Sequence, residues 1–326
     1  MAFSVRIWVY MKLITEPEPV PLSLSVIICT RNRADVLRLT LARLCACEQP
    51  SPDQWELIVI DNNSNDDTKK VIESFNHDLP VHYDCVTIPG KTHALNRALQ
   101  IARADKVIFL DDDVLPDWRL LRVYLNAFNE FSDVNLFGGR IDLSLPEKYD
   151  RDLVALPQAR LVLPQSNFGR VTRRLEYPET PAGPNMAIRR SGLGAGLRFE
   201  FTPLPGYGFT VEDTLFFKRH MQNGHSVVYL PAASVSHIVR PEQLNLDYFR
   251  ERYCFFKLAQ PLMDDAQAPR TLFSVPRYLF RSLAMSAIQY AFKTFRDRRT
   301  RLCAYLDLMA VSRVITYHHQ RNLASK

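Results

Sequence analysis

Three short apolar runs, each closing on a polar cluster, limit what this chain can fold into more than any other feature. Residues 22–29 (LSLSVIIC) run into Thr30-Arg31-Asn32-Arg33, residues 57–60 into Asp61-Asn62-Asn63-Ser64, and residues 106–110 (KVIFL) into Asp111-Asp112-Asp113. Continuously apolar strands are expected where helices cover both faces of a parallel sheet. Helical patterns fill the gaps, at 35–45, 67–75 and 92–102, the last with Ala94, Leu95, Ala98, Leu99 and Ala102 on one stripe. Residues 81–87 read as a further strand. The alternation predicts an α/β fold built from βαβ units. Ligands of such sheets collect outside the strand carboxyl ends, so the three polar clusters are expected to converge on one edge.

After Pro116 the pattern loosens, and residues 140–182 read as long irregular loops over that edge. Order returns at 183–190, in a helix over 211–221 ending near Gly224, and in a strand over 227–230 before Pro231. Beyond Leu244 the chain reads as helical, with amphipathic stretches at 282–295 and 302–317. The net charge of +6 is uneven: residues 240–326 hold fifteen Lys/Arg against seven Asp/Glu, on a near-neutral body. A basic tail of this kind suits an anionic surface. Three segments are expected: a leader and stiff linker over 1–21, an α/β domain over 22–240, and a basic amphipathic helical region over 241–326. No run reaches the ~18–20 apolar residues of a spanning helix, and the six cysteines show no C-x-x-C pair, which fits a reducing compartment. The expectation is a cytoplasmic protein, either free or peripheral on the cytoplasmic face of a membrane. The tail would lie on an anionic leaflet, or pack on the body, or form a dimer contact.

Adjacent carboxylates repel, and three at the end of a buried strand are costly without a cation. Asp111 and Asp113, at i and i+2 of a turning chain, can share magnesium or manganese with diphosphate oxygens; the alternative is a solvated acidic turn capping a helix from Asp117. Asp61 closes its strand and can accept hydrogen bonds from a base or ribose. Lys91 follows Gly90 at a helix start, a place suited to phosphate. Glu212-Asp213 opens a helix after Gly206-Tyr207-Gly208, where a carboxylate serves as general base if a hydroxyl comes within about 3 Å, or simply suits the helix dipole. His237 ends another apolar stretch and is either structural or functional.

The ordered motifs SVIICTRNR (25–33), ELIVIDNNSNDDT (56–68), GKTHALNRAL (90–99), VIFLDDDVLP (107–116), GPNMAIRR (183–190), VEDTLFFKRHMQNGH (211–225) and VVYLPAASVSH (227–237) resemble the family 2 inverting glycosyltransferases of GT-A fold. The similarity covers residues 22 to 255. It implies that Thr30, Arg31 and Arg33 lie by the nucleotide and that Asp61 contacts the base. Lys91 and Asn96 match the segment nearing ribose and diphosphate, although His93-Ala94-Leu95 stands where many relatives have an Ala-Arg-Asn pattern. Asp111 and Asp113 match the outer carboxylates of an Asp-x-Asp motif, with Asp112 between them on the nucleotide-sugar side and Asp113 the metal ligand. Asp213 matches the catalytic base, with Glu212 beside it. Asn185 falls in the acceptor-side loop, and His237 matches a histidine that supplements the metal.

The resemblance implies a metal-assisted transfer, with Mn or Mg, of one sugar from a nucleotide-diphosphate donor, UDP-sugar by family preference, to a glycan or lipid-linked hydroxyl. No Gln-x-x-Arg-Trp motif of processive synthases follows the body. An inactive nucleotide-sugar-binding scaffold of the same fold is the alternative. A nucleotidyltransferase would bring glycines to the first strand's loop, and Thr30–Arg33 has none. The tail lacks a recognised nucleic-acid module, so no nucleic-acid partner is expected.

Overall fold

The computed structural model describes residues 22–194, 197–201, 204, 210–264, 271–272 and 275–324. The leader and linker over 1–21 and the Gly206-Tyr207-Gly208 segment lie outside the described residues. The chain opens as β1 (Leu24–Thr30), α1 (Ala34–Cys45), β2 (Trp55–Asp61), α2 (Thr68–Glu73), β3 (Val81–Cys85), α3 (Lys91–Ile101) and β4 (Lys106–Asp111). The apolarity of the middles of β1, β2 and β4 has a direct cause. Val26, Ile28, Leu57, Val59, Ile108 and Leu110 pack against α1 and α2 in one core. Their alternates Ile27, Ile58, Ile60, Val107 and Phe109 pack against α3 in a second core. Successive strand residues point to opposite faces, so two covered faces favour apolar side chains on both; the buried exceptions Ser25 and Glu56 satisfy each other, the serine hydroxyl donating to the carboxylate at 2.6 Å.

The chain continues as β5 (Val114–Pro116), α4 (Leu120–Glu130), β6 (Leu136–Ser144), α5 (Arg151–Val154), α6 (Ala159–Val162), β7 (Arg173–Leu175), β8 (Asn185–Arg189), α7 (Glu212–Gln222) and β9 (Val227–Ile238). The sheet order is β3-β2-β1-β4-β8-β6-β9-β5, with β7 on β9. Its β3-β2-β1-β4 half is parallel, as expected. Beyond β4 the sheet is mixed, because β8 runs antiparallel to both β4 and β6.

Two sequence expectations change here. Residues 140–182 are not one irregular loop: β6 enters that span, and short helices and β7 follow. The strand expected to stop before Pro231 runs on to Ile238. Gly139 pairs with Leu230 while Arg140 pairs with Ser234, so residues 231–233 bulge from the ladder and Pro231 costs it no hydrogen bond. Gly139 is required opposite that bulge, since a Cβ there would lie 2.1 Å from the Ala233 carbonyl oxygen.

The C-terminal part comprises α8 (Leu246–Met263), a small hairpin of β10 (Thr271–Leu272) and β11 (Val275–Pro276), then α9 (Arg277–Lys293) and α10 (Arg298–Ala324). α10 lies on the body: Leu306 and Ala310 share a core with Phe249 and Tyr253 of α8 and with Leu153 and Leu163. Arg298 fastens its start to Asp150 at 2.5 Å and Asp152 at 3.0 Å. Among the described residues no helix is long and apolar enough to cross a membrane.

Candidate active site

The carboxyl ends of β1 and β4 open into a cavity of about 820 Å³, closed on its far side by α6, the start of α7, and α8. This is within the range of small-molecule sites. Thr30, Arg31, Arg33, Lys91, Asp111, Asp112, Asp113, Glu212, Asp213 and His237 all line it.

The acidic turn is held by its neighbours. The Thr40 hydroxyl of α1 donates to the Asp112 carbonyl at 2.7 Å, and the Ile238 amide donates to the Asp113 carbonyl at 2.7 Å. β5 pairs antiparallel with β9 in the register Val114 to His237, which sets His237 beside Asp113. Arg33 Nη1 bridges Asp112 Oδ1 at 2.7 Å and Asp113 Oδ2 at 3.0 Å. Burial pushes the Asp112 carboxyl up, against the pull of Arg33 and with Asp113 adding to the rise. Burial acts the same way on Asp113, but the His237 imidazole and Arg33 outweigh it and hold that carboxyl below its ordinary range.

The two outer carboxylates engage different partners. Asp111 Oδ1 accepts from Lys91 Nζ at 2.5 Å, and Glu212 Oε1 lies 3.9 Å from the same ammonium. Burial would lower the Lys91 pKa; Asp111 and Glu212 raise it instead, so the lysine is held charged. Glu212, buried next to Asp213, is pushed up by burial first, against the pull of Lys91. Asp213 opens α7 with both oxygens occupied: Oδ2 accepts from the Gly183 amide at 2.6 Å and Oδ1 from the Thr214 amide at 2.7 Å. Gly183 is the meeting point, because a Cβ there would sit 3.3 Å from both Asp213 Oδ2 and Lys91 Nζ.

Asp113 Oδ1 is buried and lies 3.2 Å from His237 Nε2, and His237 Nδ1 is buried without a partner. With the ring proton on Nδ1, His237 Nε2 and Asp113 Oδ1 present two lone pairs at a spacing that fits neighbouring ligands of an octahedral ion, which at bonds of ~2.1 Å stand roughly 3 Å apart. Among the described residues no group of three or more His, Cys, Asp or Glu side chains converges to cage an ion. A metal here would therefore need ligands from a bound substrate.

Three expected residues sit elsewhere. Asn185, placed by resemblance in an acceptor loop, is fully buried at the start of β8 and does not line the cavity. It accepts from the Tyr124 hydroxyl at 2.8 Å and donates to the carbonyls of Arg140 at 3.0 Å and Ala233 at 2.8 Å, so it satisfies groups left over by the bulge. Asn96 also lies off the cavity, exchanging hydrogen bonds with the Phe199 backbone at 2.9 and 2.8 Å. Asp61 is buried behind the cavity wall, accepting from the Ser64 amide at 2.8 Å and the Tyr83 hydroxyl at 3.3 Å. Its neighbour Asn62 lines the cavity and builds the loop to Lys91: Nδ2 donates to the carbonyls of Val86 and Ile88, and Oδ1 accepts from the Gly90 amide at 2.7 Å. Gly90 caps α3 at φ +130°, in the left-handed region that favours glycine.

Sequence reasoning missed a second wall. Arg160 and Gln165 come from the 151–165 segment, Arg240 from the end of β9, and Tyr248, Arg252 and Phe256 from α8. Their spacing carries no motif. The sequence marked the chain beyond Leu244 only as helical, with no sign that its first helix faces the cavity.

Residues 25–193 match the family model described as Glycosyl transferase family 2. A hyaluronan synthase of Pasteurella multocida is 30% identical over 127 residues, which are 38% of this chain and 13% of that protein. A chondroitin synthase of Escherichia coli is 29% identical over 36% of this chain and 17% of its own length. The matched segment is thus well under two thirds of either relative. In fold, the chain resembles S. aureus TarS 1-349 in complex with UDP, with TM-score 0.54, 16% identity, and coverage of 94% of this chain and 92% of that one. It also resembles the mannosyltransferase PcManGT of Pyrobaculum calidifontis in complex with GDP-Man and Mn2+, with TM-score 0.56, 17% identity, and coverage of 95% and 94%. The matched motifs run through the ends of β1 and β4 and the acidic turn that line the cavity, and the chain belongs to glycosyl transferase family 2, with the GT-A fold.

Proposed function

We propose that this glycosyltransferase moves one sugar from a nucleoside-diphosphate donor, with UDP-sugar as the first candidate, to an acceptor hydroxyl with inversion at the anomeric carbon. One observation carries the reading: a carboxylate fixed by a backbone amide, Asp213 on Gly183, meets the Lys91–Asp111 pair across a single glycine inside a nucleotide-sized cavity. Asp213 takes the proton of the attacking hydroxyl. Lys91, Arg31 and Arg33 offer positive charge to the leaving diphosphate. Asp113 and His237 are the residues that would hold a divalent metal, Mn or Mg, while Asp111 is engaged by Lys91; such an ion would supply further charge neutralisation of the leaving group. The acceptor, a glycan or lipid-linked saccharide in polysaccharide or glycolipid assembly, enters along the wall formed by α6 and α8. The relatives named for hyaluronan and chondroitin synthesis support a glycan product.

The test is proton NMR of sugar released or transferred from UDP- and GDP-sugar donors in the presence of Mn2+. An α-linked donor is expected to give the β anomer first. Initial appearance of the α anomer would overturn the inverting assignment, and no turnover of any donor would overturn the transfer reading for this cavity.

A further inference from the structure

The outer face of α9 is apolar and open. Only Leu279 of this helix is fully buried, joining Val275, Leu258 of α8 and Val314 of α10. On the opposite side Tyr278, Met285, Ile288 and Phe292 are 54, 49, 50 and 77% exposed, and Phe295, just beyond the helix, is 93% exposed. Their spacing of seven, three, four and three residues sets them on one stripe of a helix roughly 25 Å long. Between Arg281 and Lys293 the helix carries no charge at all. Globular proteins rarely leave so continuous an apolar face to water unless something covers it.

The charges around the stripe indicate what covers it. Arg277 and Arg281 stand at one end, and Lys293, Arg296 and Arg301 at the other. No Asp or Glu occurs in the sequence between Asp265 and Asp297. The nearby acids Asp150 and Asp152 are already engaged by Arg298. A second copy docking through the same face would oppose arginine to arginine across its two-fold axis. A surface that is apolar at depth and anionic at its boundary satisfies both parts of the pattern.

We infer that α9 is an interfacial anchor that lays its Tyr278–Phe295 stripe into the headgroup region of an anionic phospholipid bilayer. α8 links this face to the cavity, since Arg252 and Phe256 line the cavity while Leu258 packs on Leu279.

The test is co-sedimentation of the full chain with phosphatidylcholine vesicles, with and without about 30 mol% phosphatidylglycerol. Binding is expected to the anionic vesicles and to weaken with added salt. The double variant Phe292→Ser/Phe295→Ser is expected to bind at least about tenfold more weakly. Arg277→Glu/Arg281→Glu should lose the preference for anionic lipid while keeping its melting temperature. Equal pelleting with neutral vesicles, or undiminished binding of the Phe variant, would overturn the inference. So would a solution dimer that the same Phe variant converts to monomer.

Discussion

Replacing Asp213 with Asn tests the assignment of the base most sharply, because the two carboxylate oxygens have identified partners. Each accepts a backbone amide, Gly183 at 2.6 Å and Thr214 at 2.7 Å. An Asn amide offers one acceptor and one donor, so either orientation turns an NH2 group towards a backbone N–H. The expected cost in stability is about 1–3 kcal/mol. The chemical loss should be larger. A positioned general base contributes roughly 10²- to 10⁴-fold, which corresponds to about 3–5 kcal/mol of barrier. The assay is release of nucleoside diphosphate from the donor panel, read beside a thermal melt and a UDP titration. The variant should melt a few degrees lower, bind UDP within about twofold of the parent, and lose turnover by at least two orders of magnitude. Asp213→Glu keeps the charge but displaces it by a methylene, so an intermediate loss is expected. Turnover within about threefold of the parent in a folded Asp213→Asn protein would refute the base assignment.

Asn185→Ala removes the partner of one hydroxyl and two carbonyls in the buried network with Tyr124, Arg140 and Ala233. A loss of about 3 kcal/mol in unfolding free energy is expected, with UDP affinity unchanged; a selective change in acceptor KM at full stability would return Asn185 to the acceptor side. His237→Gln keeps a polar side chain beside Asp113 but removes the imidazole lone pair. It should weaken the Mn2+ dependence of turnover at least about tenfold, and an unaltered metal titration would contradict that role. His220 is buried beside Phe216, and burial, then Arg219 and His225, pull its pKa down to about 4. The folded state keeps this ring neutral while the unfolded chain protonates near pH 6.5. Stability is therefore complete above that pH and declines by up to about 3 kcal/mol as pH falls towards 4. His220→Gln should flatten that slope in urea melts, and an unchanged slope would show that another group titrates.

The parallel half of the fold is legible in the sequence because burial on both faces keeps the middles of β1, β2 and β4 apolar up to their carboxyl ends, where Thr30, Asp61 and Asp111 stand. The second half is not, because its register depends on a bulge. Pro231 looks like a terminator, and only the partner strand, with Gly139 opposite Ala233, shows that β9 continues and delivers His237 to the acidic turn. Site residues supplied by strand ends and by the α7 start were readable as motifs. Arg160, Arg240 and Arg252 were not, since contacts between distant segments leave no trace in local spacing. Asn185 shows the converse: its motif is recognisable, yet its side chain is spent on the Tyr124 hydroxyl and two carbonyls.

The most direct test of the donor site is a calorimetric titration of the full chain with UDP, GDP and dTDP, each with Mn2+ and with EDTA. The account predicts that one nucleotide binds with Mn2+ present, and that binding weakens at least about tenfold in EDTA or in Asp113→Asn. Nucleotide binding of equal strength with and without metal, or none in either condition, would contradict it.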